Sequence, residues 1–167
     1  MFTINLPSLT KEGWQGSKLE TLPNQTPQYK GSLGTKIVHQ LIPQSKVISD
    51  EGDLLIGDKK SEVKTALYNT RTKSLWWNQI RPKQAGWSLI HFVAIYPDKI
   101  EVYEVQREVA EIMFKDPVLS KPGHVGTEEL IEVKVVTNSR RNTLDYFKTY
   151  ATCICHTHLN QVKVENG

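Results

Sequence analysis

The run Trp87-Ser-Leu-Ile-His-Phe-Val-Ala-Ile-Tyr96 constrains the fold most. It is almost unbroken in apolar, β-branched and aromatic side chains. A strand that does not alternate is covered on both faces, so this one belongs at the centre of a sheet. Gly86 breaks the chain before it, and Pro97-Asp98 turns the chain after it. Lys99 to Val105 alternates as a second strand, and Gln106 to Phe114 has helical spacing through Val109, Ile112 and Met113. Residues 115–128 carry Pro117, Pro122, Gly123 and Gly126 and read as a loop. Leu130 to Val136 alternates again. Beyond the basic loop Asn138 to Asn142, Leu144 to Tyr150 reads as a helical turn, and Ala151 to Val164 as a strand or an irregular tail.

Upstream of the central strand, Ser32 or Thr35 starts a helix with Ile37, Val38, Leu41 and Ile42 at helical spacing, which Pro43 stops. Lys46-Val-Ile-Ser49 reads as a short strand. Ser74 caps a predicted helix from Leu75 to Arg81, which Pro82 ends. Helix, strands, crossing helix and strand in this order predict an α/β fold with a mixed central β-sheet flanked by helices. Residues 1–30, rich in Pro, Gln, Thr, Gly and Ser, predict an extended N-terminal arm, with the main domain over 31–167. An arm bearing Trp14, Lys18 and Lys30 either wraps a partner or packs on its own domain.

At 167 residues the chain is expected to form one domain with a substantial core. Its net charge of +3 permits a nucleic-acid partner without demanding one. No apolar run has the length of a membrane span, and the first residues show no secretion signal. Two cysteines, Cys153 and Cys155, make no disulfide framework, so a reducing, intracellular (cytoplasmic) setting is expected.

The chemistry concentrates in Asp53-Leu-Leu-Ile-Gly-Asp-Lys-Lys-Ser-Glu-Val-Lys64. Two short strands joined at Gly57-Asp58-Lys59-Lys60 form a predicted hairpin. Side chains alternate along a strand, so Glu62 and Lys64 share one face and Val63 points to the other. Pairing Gly57 with Lys60 sets Asp53 opposite Lys64 and Leu55 opposite Glu62, on the same face. A one-residue slip sends Asp53 to the wrong side. Two carboxylates and an ammonium converging on a sheet face suit a hard divalent cation and a water.

Asp53, then Glu62-Val63-Lys64 after a helix and a strand, resembles the PD-(D/E)XK nuclease superfamily, and within it the type II restriction endonucleases. Glu62-Val-Lys-Thr-Ala66 is similar to that family's third core strand. Trp77-Asn-Gln-Ile-Arg-Pro-Lys-Gln84, with the apolar strand and Pro97-Asp98 after it, is similar to the stretch that follows. The likeness covers roughly residues 33–114. Gly52 stands where a Pro often precedes the Asp. The first helix offers Lys36, His39 and Gln40 where many relatives carry a Glu. The resemblance implies a magnesium-dependent endodeoxyribonuclease cutting double-stranded DNA at a short specific site, commonly as a homodimer. The alternatives from other classes are a DNA-binding module with a degenerate nuclease core and a structural or interaction protein.

Phosphodiester hydrolysis needs an in-line water and charge relief at phosphorus and leaving oxygen. Asp53, Glu62 and the Val63 carbonyl are the candidate ligands for Mg2+, which binds carboxylates and keeps several waters. Lys64 is placed to orient the water and to offset developing negative charge. Gln79 is expected to orient water or phosphate, and Arg81 to pair with phosphate through its planar fork. Arg71, Lys73, Lys121, His124, Arg140, Arg141 and Asn142 are candidate DNA contacts. Arg suits guanine and Asn suits adenine in the major groove. Cys153-Ile-Cys-His-Thr-His158 places both cysteines on one face of a strand and both histidines on the other. That arrangement closes poorly around one ion, so core cysteines and surface histidines are expected.

Overall fold

The computed structural model describes residues 3–6, 13–49, 53–84, 86–125, 128–138 and 140–166. In chain order, β1 (Thr3–Leu6) leads to α1 (Pro27–Leu41), β2 (Lys46–Ser49), β3 (Asp53–Ile56), β4 (Lys59–Leu67) and β5 (Ser74–Ile80). Then come β6 (Trp87–Ile95), β7 (Lys99–Gln106), α2 (Arg107–Met113), β8 (Ser120–Val125) and β9 (Glu128–Asn138). The chain closes with β10 (Arg141–Asn142), α3 (Leu144–Phe147), β11 (Thr152–His158) and β12 (Lys163–Asn166).

The fold is mixed α/β, with a six-stranded sheet in the order β11-β7-β6-β4-β3-β2. Only the β4–β6 pair in it is parallel. β6 lies inside this sheet, and of its nine residues all but Ser88 are buried. One face of the sheet carries Ala66, Ile90, Phe92, Tyr103 and Val105. It packs on a second, antiparallel sheet, in which β9 pairs with β5, β8 and β10. Trp77 is central there: its ring stacks on Phe147 at 5.4 Å and its Nε1 donates to the Val93 carbonyl at 3.0 Å. The other face carries Val63, Val93, Ile100 and Val102 and packs on α1 through Leu33, Ile37 and Val38.

Four expectations change. α1 starts at Pro27, not at Ser32 or Thr35, because Thr26 caps it by accepting a hydrogen bond from the Tyr29 amide and Pro27 fits the first turn. Position 31 therefore lies within α1. Upstream, Ile4, Trp14, Leu19 and Leu22 are buried in the α1-side core, and β1 pairs in parallel with β12. Among the described residues of this stretch, 3–6 and 13–30, these side chains pack on the domain. Leu75 to Arg81 is not a helix: Leu75 to Ile80 belong to β5, with Leu75 and Trp77 inward and Trp76 outward, and Arg81 follows it. The expected 115–128 loop contains β8, which pairs along β9 from Ser120↔Val133 to Val125↔Glu128. One face of the main sheet is thus covered chiefly by a second sheet, with α2 and α3 adding Ala110, Met113 and Phe147 to that core.

Candidate active site and nucleic-acid groove

The turn of the β3–β4 hairpin sets the site. Gly57 has φ +63°, a region glycine enters without steric cost. Gly57-Asp58 form a two-residue loop of the glycine-first kind. Ile56 faces Lys59 and Asp53 faces Glu62. The expected partner of Asp53 was Lys64, two residues further on. Both loops hold two residues, but a left-handed glycine belongs inside the loop and not at the end of a strand. Moving the loop by one residue moves the partner by two, so the face is unchanged. Asp53, Lys60, Glu62 and Lys64 share one side of the hairpin.

These groups touch. Lys64 Nζ lies 3.1 Å from Glu62 Oε1, and Lys60 Nζ lies 3.4 Å from Asp53 Oδ2. The Glu62 and Asp53 carboxyls are neighbours on adjacent, directly paired strands. Burial first, then the neighbouring Asp53 carboxyl, push the Glu62 pKa above the usual carboxylate range, against the opposing pull of Lys64. Only 14% of the Glu62 side chain and 17% of that of Lys64 are exposed. Two carboxylates side by side on adjacent strands form a set that suits a small divalent cation. Val63 contributes no side chain to it, being buried in the α1-side core, so only its backbone is on offer.

Gln79 joins the site by its backbone. β5 carries a bulge between Trp77 and Ile80 as it pairs with β9, and Gln79 within the bulge has φ +55°. Its carbonyl accepts a hydrogen bond from Lys64 Nζ at 3.0 Å. The expected helix would have placed the Gln79 side chain behind the site strand; the bulge supplies a main-chain oxygen instead.

β4 and β5 run back to back from the turn at Asn69 and Ser74, which bridge each other, to Lys64 and Gln79. No ladder joins them among the described residues, and a groove of about 560 Å³ lies there. Lys30, Lys64 and Lys134 line it, and no carboxylate does among the described residues. Trp76 and Asn78 stand on its β5 side. The acidic pair adjoins its Lys64 end.

The remaining candidates sort by distance along the fold. Arg71 and Lys73 are exposed on the Asn69–Ser74 turn, at the far end of the groove. The Lys73 carbonyl accepts from the Thr137 amide, and Thr137 pairs with Asn142, so the exposed Arg140, Arg141 and Asn142 hairpin stands beside that turn. Lys121, on β8, pairs with Glu132 at 3.4 Å and reaches over Trp76. Arg81 is exposed just past β5. His124 lies on β8 opposite Glu129, and its side chain is outside the described set.

Sequence reasoning missed Lys60, Trp76 and Asn78, whose places depend on register and on β5 being a strand; Lys134, grouped in the sequence with the basic Arg140–Asn142 loop, instead lines the groove. It also missed a buried chain under the site. Ser61 Oγ lies 2.5 Å from His91 Nδ1, and His91 Nε2 lies 2.9 Å from Glu104 Oε2. Ser61 and His91 are wholly buried, so this series ties β4, β6 and β7 together and is closed to a substrate. On β11 a bulge between Cys153 and Cys155 puts the two cysteines on opposite faces: Cys155 is buried, Cys153 exposed. The expected pair of core cysteines is therefore split. His156 and His158 are exposed as expected. No group of three His, Cys, Asp or Glu side chains suited to a metal occurs among the described residues. No helix is long and apolar enough to cross a membrane among the described residues.

Comparison with protein-family models, with curated proteins and with solved structures found no match to this chain.

Proposed function

We propose that the chain is a magnesium-dependent endodeoxyribonuclease with a PD-(D/E)XK-like core, acting on double-stranded DNA in the manner of type II restriction enzymes. One observation carries this reading: the carboxyls of Asp53 and Glu62 meet across two strands, and the Lys64 ammonium closes the third side. The order α1, β2, β3, β4, with Glu62 and Lys64 on a strand parallel to β6, also suits such a core. The basic groove beside it suits a phosphate backbone.

Asp53 and Glu62 would hold the cation, with the Val63 carbonyl as a further donor. When bound, the cation relieves charge at the phosphate and makes a water more acidic. Lys64 has three N–H donors. Glu62 and the Gln79 carbonyl engage two and so fix the ammonium's direction. The third serves a non-bridging phosphate oxygen, where charge grows as the bond to phosphorus forms. Gln79 is thus a positioning residue acting through its main chain. Arg71, Lys73, Arg81, Lys121, Arg140, Arg141 and Asn142 supply backbone and base contacts along the DNA, and a homodimer would match a palindromic site.

Digestion of a fully sequenced plasmid with magnesium, followed by end mapping, tests this. Discrete fragments that vanish on chelation, and on Lys64→Ala with DNA retention intact, are expected. Retention of DNA with no cutting at any magnesium concentration would replace the reading with that of a DNA-binding module with a degenerate core.

A further inference from the structure

We infer that Trp76 is a stacking platform for one unpaired base of the DNA substrate; this rests on the nuclease reading and adds a preference for locally unpaired strands near the cut. Trp76 differs from the other tryptophans in its surroundings. Trp14, Trp77 and Trp87 are 3%, 0% and 3% exposed, whereas Trp76 is 48% exposed. Its strand neighbours Leu75 and Trp77 are core residues, so alternation commits its indole to the outer face of β5. That indole adds nothing to the core.

Two lysines flank it, one of them also paired with Glu132. Lys134 sits directly opposite on β9, and Lys121 Nζ stands over the ring, 5.7 Å from its centroid. This is near the outer limit of a cation–π contact, about 6 Å, so an arriving base can displace it. An aromatic plane among ammonium groups matches a ligand with flat faces and phosphates, and oligonucleotides combine the two. A protein partner docking on apolar area would find lysines instead.

Position favours the same occupant. Trp76 and Lys64 line one groove. Trp76 lies three residues along β5 from Gln79, whose carbonyl holds Lys64. Three strand residues span roughly 10 Å, the axial length of about three stacked nucleotides. A backbone entering past Lys134 would carry its scissile phosphate toward Lys64 while a base a few nucleotides away covers the indole.

Tryptophan emission gives a clean readout, because only Trp76 of the four is solvent-accessible. Titrate the full-length protein, without divalent metal, with a 12-mer of oligothymidylate, with a blunt duplex of equal length and with inorganic polyphosphate. The single strand is expected to quench the emission. Trp76→Ala should weaken its binding roughly ten-fold, within the usual worth of base–aromatic stacking. Trp76→Phe should restore most of it, and duplex binding should change less than about two-fold. Equal quenching by polyphosphate, or unchanged oligothymidylate binding by Trp76→Ala, would overturn the inference and leave the nuclease reading standing. Quenching by the oligonucleotide, in a protein that never cuts plasmid with magnesium, would keep the platform and remove the nuclease reading.

Discussion

Replacing Lys64 with methionine probes the site without any substrate. The change removes the 3.1 Å ion pair to Glu62 and the 3.0 Å hydrogen bond to the Gln79 carbonyl. Hydrogen bonds to charged groups contribute about 1.5–3 kcal/mol each, and stranding one member of a buried pair costs about 3–5 kcal/mol. Glu62 keeps 14% of its side-chain surface and can take up a proton, so the loss is smaller. We expect Lys64→Met to lose about 2–3 kcal/mol at neutral pH. Glu62→Gln, which keeps an acceptor for the ammonium and a donor for Asp53, should lose about 1 kcal/mol. The double variant should lose about 1 kcal/mol less than the sum of the single losses. Urea unfolding measures all three. The pH dependence carries the sign. Without Lys64, the Glu62 pKa rises further above its unfolded value. Stability from a raised carboxyl is complete below the unfolded pKa and is lost as pH climbs through the folded pKa. The deficit of Lys64→Met must therefore grow from acid toward neutral pH. A deficit that is flat with pH, or additive losses in the double variant, would refute the reasoning.

Three further outcomes follow from other contacts. A Cβ on Gly34 would sit 1.7 Å from Thr65 Oγ1, so Gly34→Ala should push α1 off β4 and cost about 1–3 kcal/mol in urea unfolding. Gln79→Gly relieves the φ of +55° while keeping the carbonyl that holds Lys64, so cleavage should stay within about three-fold of the parental rate and stability should hold or rise by about 0.5–1 kcal/mol; a large loss of cutting would assign the role to the side chain. The His91 hydrogen bond holds the Glu104 pKa below the usual range, so stability from it is present above the unfolded pKa and lost as pH falls through the folded one. Acid titration of Glu104→Gln by circular dichroism should accordingly show a shallower acid limb.

The central strand and the hairpin were legible because both signals are local: an unbroken apolar run, and two apolar stretches around Gly57-Asp58. The face shared by Asp53, Glu62 and Lys64 survived a register error because strand side chains repeat every two residues. β5 was not legible. Its bulge at Asn78 and Gln79 breaks the alternation after Trp77, and Trp76 with Ile80 then mimics helical spacing beside a plausible Ser74 cap and Pro82 stop. Only pairing with β9, more than fifty residues on, decides the case. The start of α1 was readable in Thr26-Pro27, but Gly31 and Gly34 obscured it; Gly34 is there because the helix touches Thr65 closely. The groove could not be read at all, since it is the space between two strands that tertiary structure holds apart. β8 was masked by Pro122 and Gly123 inside it, residues tolerated because, among the described residues, it pairs on one side only, with β9.

The most direct measurement is calorimetric titration of the folded protein with manganese, as a stand-in for magnesium, at neutral and mildly alkaline pH. Saturable binding that disappears in Asp53→Asn and in Glu62→Gln, each still folded, is the predicted result. Undiminished binding in both variants, or none in the parental protein, would contradict a cation held between these two carboxylates.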